Sequence, residues 1–214
     1  MVSTINAMKG PAMTASMPPA AGIDPAEVLP TLVAALADDP LWRWLYPDRE
    51  TYERALPEVI LLAARGAFDA GTVDVAAGGA AVAVWDPPGS EADPEKVAAM
   101  WITHFQTYCD PARLGDIFAW SEQFGSYHPT EPHWYLGGIG VTPDRQGHGH
   151  GSALLHVGLE RCDRDGLPAY LEASNAHNRR LYERHGFEVI GEIQAADSPS
   201  SWPMLRPPRH VDPR

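Results

Sequence analysis

Arg145-Gln146-Gly147-His148-Gly149-His150-Gly151, "RQGHGHG", sets three glycines and two histidines between a Pro-Asp turn and the apolar run "SALLHVGL". Strand, glycine turn and helix in that order form the setting in which backbone N–H groups and the positive end of a helix dipole collect an anion. Three uses of such a loop are distinguishable on its residues. A Walker loop requires Gly-Lys followed by Ser or Thr, and the stretch has no lysine. The dinucleotide pattern GxGxxG, counted from Gly147 and Gly149, requires glycine where the chain has Ser152. A zinc site would recruit His148, His150 and His156, but the HxH pair lacks a separate third or fourth ligand at the usual spacing, so no metal is expected.

Outward from the loop, periodicity alternates between strand and helix. "HWYLGGIGV" before it reads as a strand, "GSALLHVGLERCDRDG" after it as a helix, then "PAYLEAS" as a strand, "NAHNRRLYERHGF" as a helix and "FEVIGEI" as a strand, with a short last strand at "SWPML". Nearer the start, "DPAEVLPTLVAALADDP" opens with a capping Asp24 and Pro25 at the first helical position. "DPLWRWLYPD" follows as an aromatic elbow, and residues 50–70 form an apolar-striped helix that Pro57 is positioned to kink. "TVDVAA" and "AAVAVWDPP" read as a hairpin around "GG". Residues 86–130 form an irregular, partly helical insertion over the substrate side, with helices around "PEKVAAMWITHFQTYC" and "PARLGDIFAWSEQF". The whole predicts a layered α/β domain over 23–206, with a flexible leader at 1–22 and a tail at 207–214.

Composition narrows the function. A formal net charge of -12 over 214 residues argues against general affinity for nucleic acid or anionic membrane and suits a cationic partner such as an amine. No apolar run approaches the roughly 20 residues that span a bilayer, and the leader lacks the apolar core of a signal peptide. Cys109 and Cys162, far apart and without metal-ligand spacing, are expected as free thiols in a cytoplasmic protein.

The loop does fit the spacing Gln/Arg-x-x-Gly-x-Gly, as Gln146 to Gly151, preceded by "GVTP" and followed by a helix. In this it resembles the acetyl-CoA loop of the GNAT superfamily of N-acyltransferases. "NAHNRRLYERHGF" is similar to that superfamily's later block, with Asn175 seven residues before Tyr182 and Gly186-Phe187 closing the helix. Together with "GLPAYLEAS", "SWPML" and "DDPLWRWLYPD", these segments look most like the puromycin N-acetyltransferase branch, which would carry antibiotic resistance as a role. The resemblance implies a mixed, mostly antiparallel sheet flanked by helices, in the order strand-helix-helix-strand-strand-strand-helix-strand-helix-strand. The first of these strands has no obvious counterpart before Asp24.

It also implies site residues. Ile139, Gly140 and Val141 would pair with the pantetheine arm of acetyl-CoA, with the Val141 N–H aimed at the thioester oxygen. Gln146, Gly147, His148, Gly149, His150, Gly151 and Ser152 would hold the pyrophosphate, the glycines admitting backbone N–H groups without a Cβ in the way. Asn175 and Asn178 would orient the arm. Arg145, Arg179 and Arg180 are candidates for the 3′-phosphate or, equally, solvated cations. Tyr182 would be the general acid, a phenol being protonated at neutral pH. Glu172, at the end of its strand, would be the base, with Glu122, His128 and His133 as further candidates. On the substrate side Trp42, Trp44 and Tyr46 of the elbow and Trp134 are expected to line a cleft for an aromatic or flat apolar amine. The expected activity is direct acetyl transfer to a primary amine of a small molecule. A protein lysine or N-terminal acetyltransferase and a non-catalytic acyl-CoA sensor are the alternatives, and whether the chain forms a homodimer is left open.

Overall fold

Capping chemistry sets the helix starts where the sequence places them. The computed structural model describes residues 22–90 and 94–209. Asp24 caps α1 (Pro25–Ala35) and accepts from the Ala26 N–H. Asp39 caps α2 (Pro40–Leu45), so the aromatic elbow is a short helix. The apolar stripe over 50–70 is two helices, α3 (Arg49–Ala63) and α4 (Arg65–Ala70), and the break falls at Ala64, whose φ is -102°. Pro57 does not mark the break; it lies inside α3.

Six strands form one sheet in the order β1-β2-β3-β4-β6-β5: β1 (Val73–Ala76), β2 (Ala81–Asp86), β3 (Trp134–Val141), β4 (Ala169–Ala173), β5 (Glu188–Val189) and β6 (Trp202–Arg206). All neighbours are antiparallel except β3 and β4. The result is the expected mixed, mostly antiparallel α/β fold. The strand expected ahead of Asp24 lies outside the described residues, as does most of the leader. "SWPML", expected as a marginal last strand, pairs on both sides, with β4 over five residues and with β5 over two.

Two features of β3 prepare the site. It pairs with β4 only at Trp134↔Ala169 and Tyr135↔Tyr170, after which the two strands run apart. On its other edge the register with β2 shifts between Val84↔Gly138 and Trp85↔Leu136, leaving Gly137 as the extra residue of a β-bulge. The bulge reverses the alternation of faces. Trp134, Leu136, Ile139 and Val141 therefore face one way, in the apolar cluster with α7 (His150–Asp165) and Tyr182 of α8 (Ala176–Arg184). Tyr135, Gly138 and Gly140 face the other way, toward α1 and α3.

The insertion holds α5 (Pro94–Tyr108) and α6 (Leu114–Tyr127). Trp101, Phe105, Trp120 and Phe124 bury themselves in the core shared with α2 and α3, so these aromatics hold the roof together. Hydrogen bonds between Gln123 and Gln194 fasten that roof to the chain between β5 and β6.

Candidate functional site

The glycine loop folds as an anion cradle. Gly147 and Gly149 have φ of 78° and 83°, a backbone region costly for any residue with a Cβ, and the space a Cβ would take at either is open. Gly149 caps α7 with no side chain bonded to the first turn, which leaves the leading N–H groups of a 16-residue helix available. Gly151 follows within that turn, where a Cβ would meet only ordinary contacts. Gln146 donates its side-chain amide to the Val141 carbonyl at 3.1 Å, closing the loop against the end of β3. His148 turns inward: its Nδ1 lies 2.8 Å from the Gln146 carbonyl and 3.2 Å from that of Arg145, so it donates to the loop itself. The His148 and His150 rings stack at 6.3 Å. Ser152 bonds His185 at 3.1 Å and ties α7 to the end of α8.

The uncapped helix start, the open glycines and the diverging edge of β3 fit the pyrophosphate and pantetheine arm of a coenzyme A thioester. Ile139 and Val141 lie on that edge with their side chains toward α7. Gly140 is small for another reason as well: a Cβ there would stand 2.7 Å from the Ala35 Cβ of α1. Asn175 does not reach toward the loop. Its amide oxygen caps α8 at the Asn178 N–H, 2.8 Å away, and its amide nitrogen donates to Asp39, also at 2.8 Å. Ser174 donates to the same carboxylate oxygen. Asp39 thus joins the helical roof to the end of β4, a role the sequence reading missed because "DP" explains itself as a helix cap. Tyr182 is 6% exposed. Burial and then the Asp39 charge push its pKa well up, so it stays protonated.

On the opposite face of the sheet, Glu172 accepts from the Tyr135 hydroxyl at 2.9 Å through one carboxylate oxygen. Burial is the largest cause and pushes its pKa up to about 7. His128 and His133 pack beside this pair, whereas Glu122 is exposed on α6. A narrow apolar crevice opens between α1, α3 and β3, lined by Leu32, Leu36, Trp42, Ile60 and Val84 above Gly137 and Gly138. At its floor a Cβ on Gly137 would lie 3.2 Å from the Asp86 carboxylate and 3.6 Å from the ring of Tyr135, the partner of Glu172.

Of the aromatics expected at the substrate, only Trp42 lines this crevice. Tyr46 is fully buried and bonded to His104 at 2.7 Å, which makes it a core residue. Trp44 donates to Asp197 at 2.9 Å and carries the Arg113 guanidinium over its ring, bracing the roof. Trp134 lies on the α7 face and donates to Asp165 at 3.0 Å, so the sheet separates it from Glu172. Gly137 and Tyr135 were overlooked; the signal was "YLGG", since paired glycines within a strand mark a bulge. His156 pairs with exposed Glu160, Arg179 with Glu183, and Arg145 lies beside Asp144. Among the described residues no group of three or more metal-ligating side chains assembles, and no helix is long and apolar enough to cross a membrane. Cys109 and Cys162 are buried free thiols.

The known proteins to which this chain is similar carry acetyltransferase names. The model of the Acetyltransferase (GNAT) family matches residues 35–187. A mycothiol acetyltransferase of Kocuria rhizophila is 30% identical over 113 residues, 49% of this chain and 31% of that protein. An uncharacterized N-acetyltransferase of Schizosaccharomyces pombe is 46% identical over 54 residues, 25% of this chain and 22% of that one. The match thus spans a third or less of these relatives' lengths. A Corynebacterium glutamicum structure described as histone acetyltransferase HPA2 and related acetyltransferase superposes with a TM-score of 0.62 at 26% identity, covering 91% of this chain and 97% of that one. The polyamine N-acetyltransferase of Drosophila melanogaster shares the fold, with a TM-score of 0.59 at 18% identity over 89% and 98% of the two chains. These relatives support the superfamily and not the puromycin branch suggested by the sequence. With the family model matching well over half of its length, the chain belongs to the GNAT acetyltransferase family.

Proposed function

We propose that the protein is an acetyl-CoA-dependent N-acetyltransferase acting on a primary amine of a small molecule. The observation that carries this reading is the uncapped start of α7 beside the point where β3 and β4 diverge, with the buried Glu172–Tyr135 pair on the opposite face of the sheet. Acetyl-CoA, when bound, supplies the acetyl group as a thioester. The first-turn N–H groups of α7 and those of the Gln146–Gly151 loop would hold its phosphates, and the β3 edge from Ile139 to Val141 its arm.

At about 20 Å³ the crevice has room for little more than one water, so only the reacting end of the acceptor would enter it, with Trp42 as one wall. Glu172, directly or through one water, accepts a proton from the acceptor ammonium and leaves a nucleophilic nitrogen. That nitrogen bonds the acetyl carbon as the carbon–sulfur bond breaks, and the Tyr182 O–H donates to the departing sulfur. The second nitrogen proton, shed as the amide forms, replaces the one Tyr182 gave. Neither cysteine takes part, since burial raises both thiols, Cys109 to about 11 and Cys162 to about 12.

The test is release of CoA thiol from acetyl-CoA over a panel of aminonucleosides, aminoglycosides, polyamines, amino acids and a lysine peptide. Turnover on one of the small amines is the expected outcome, and the polyamine N-acetyltransferase among the similar proteins makes polyamines the first to try. Turnover on the peptide alone would replace this reading by a protein acetyltransferase. Binding of acetyl-CoA without turnover on any of them would indicate a sensor.

A further inference from the structure

A second cavity lies on the roof, in the groove between α3 and α5. It measures about 410 Å³, the size of a small-molecule pocket. Glu58 and Leu62 of α3 form one bank and Ala99, Met100, Thr103 and Thr107 of α5 the other, with the buried His104 and the Tyr108 ring completing the lining. The acceptor crevice is lined from the same helix by Ile60, Ala63 and Ala64. Ile60 and Ala64 lie about half a turn around the helix from Glu58 and Leu62, so α3 separates the two cavities.

The hydroxyls of the lining have spent their hydrogens inside the protein. Thr103 donates to the Ala99 carbonyl at 2.8 Å and Thr107 to the Thr103 carbonyl at 2.7 Å. Tyr108 donates to one Glu58 oxygen at 2.6 Å. Each hydroxyl therefore offers lone pairs and no hydrogen to a molecule entering the groove. His104 bonds the Tyr46 hydroxyl at 2.7 Å through Nε2. Its Nδ1 is 3.9 Å from the second Glu58 oxygen, too far for a hydrogen bond. Burial holds the His104 pKa down at about 4, so the ring is uncharged at neutral pH. Among the described residues Glu58 is then the one formally charged side chain of the lining, and it is 58% exposed. Arg54, a turn earlier on α3, lies 6.0 Å from the centre of the Tyr108 ring and outside the lining.

An exposed carboxylate, hydroxyl acceptors on the facing helix, and apolar flanks from Leu62, Ala99 and Met100 match one chemical class. We propose that this groove binds a primary alkylammonium ion, its head group donating to Glu58 and the threonine hydroxyls and its chain lying on Leu62 and Met100. The site is separate from the acceptor crevice and stands whether or not the protein transfers acetyl groups. Solvent screens a carboxylate so exposed, so the charge contributes about fivefold in affinity, and binding weakens as salt is added.

The test is an NMR titration of the full-length protein, labelled at its methyl groups, with n-hexylammonium chloride in the absence of acetyl-CoA. Shifts at Leu62 and Met100 are expected, with hexanol and hexanoate binding more weakly by about fivefold. Glu58→Gln should weaken n-hexylammonium by a similar factor and leave hexanol unchanged. Met100→Lys puts a tethered ammonium in the groove and should abolish the shift at Leu62. Melting curves confirm that each variant is folded. If Glu58→Gln is not, Met100→Lys, at a position 39% exposed, decides together with the ligand series. No shift, shifts confined to Leu32 and Ile60 of the crevice, equal affinity for ammonium and alcohol, or binding indifferent to Glu58→Gln would overturn the site.

Discussion

Glu172 and Tyr182 stand on opposite faces of the sheet, and their environments push both toward the protonated form. For Tyr182 that suits a donor, and Tyr182→Phe should lower kcat by ~10²-fold with little change in the KM for acetyl-CoA, read by thiol release. For Glu172 it has a stability consequence. The folded protein keeps the carboxyl proton up to about pH 7, whereas the unfolded chain releases it in the ordinary carboxylate range. The folded state therefore binds the extra proton between those values, and stability falls as pH rises through that window. Glu172→Gln removes this loss, so calorimetry should show a larger gain in Tm over the parent protein at pH 8 than at pH 5, worth on the order of 2 kcal/mol. The sequence singles both residues out by their places in or beside a recognisable block, and their roles are those proposed above. Their partners were not: nothing in "HWYL" or "PAYL" says that Tyr135 and Tyr170 share the face of Glu172, because a bulge at Gly137 decides it.

Helix α7 carries the loop at its first turn and is fixed to the sheet further along. Arg161 pairs with Asp74 of β1, and Arg206 of β6 forms a two-pronged pair with Asp163. Gly158 lets the helix sit on the Trp85 ring, since a Cβ would come within 2.2 Å of it. Gly158→Ala should therefore destabilise the protein by about 1–3 kcal/mol, measured by urea unfolding. Gly149→Val acts elsewhere. Its Cβ meets open space in the free protein, so beyond about 1–2 kcal/mol of left-handed backbone strain its effect should be a loss of CoA affinity of tenfold or more by calorimetric titration. Helices were the most legible elements because caps such as Asp24 and Asp39 act locally. The strands β5 and β6 were the least, since two and five residues carry little period of their own and take their pairing from β4.

Across the molecule, the roof of α1 to α6 and the α7–α8 layer meet through few polar links, and Asp39 is the central one. It caps α2 at the Leu41 N–H and accepts from both Ser174 and Asn175. Asp39→Ala strands all three donors. Differential scanning calorimetry should show a loss of about 2–4 kcal/mol, and turnover should fall as the crevice and the end of β4 lose their register. The insertion was legible as two helices and not as a roof, because its aromatics carry the spacing of any buried helix and only the assembled core shows what they bury against.

The bulge at Gly137 also bears on which changes in chain length the protein can survive. Tyr135 faces the side of α1 and α3, and beyond the bulge Gly138 and Gly140 face it too, while Ile139 and Val141 face α7. Removing or adding one residue anywhere between Tyr135 and Val141 would exchange those faces from that point on. It would send Ile139 and Val141 into α1 and pull Gly140 away from it. The seven residues from 135 to 141 therefore have a fixed length, whereas the turn after β2, exposed at Gly89, is free to lengthen or shorten as relatives diverge.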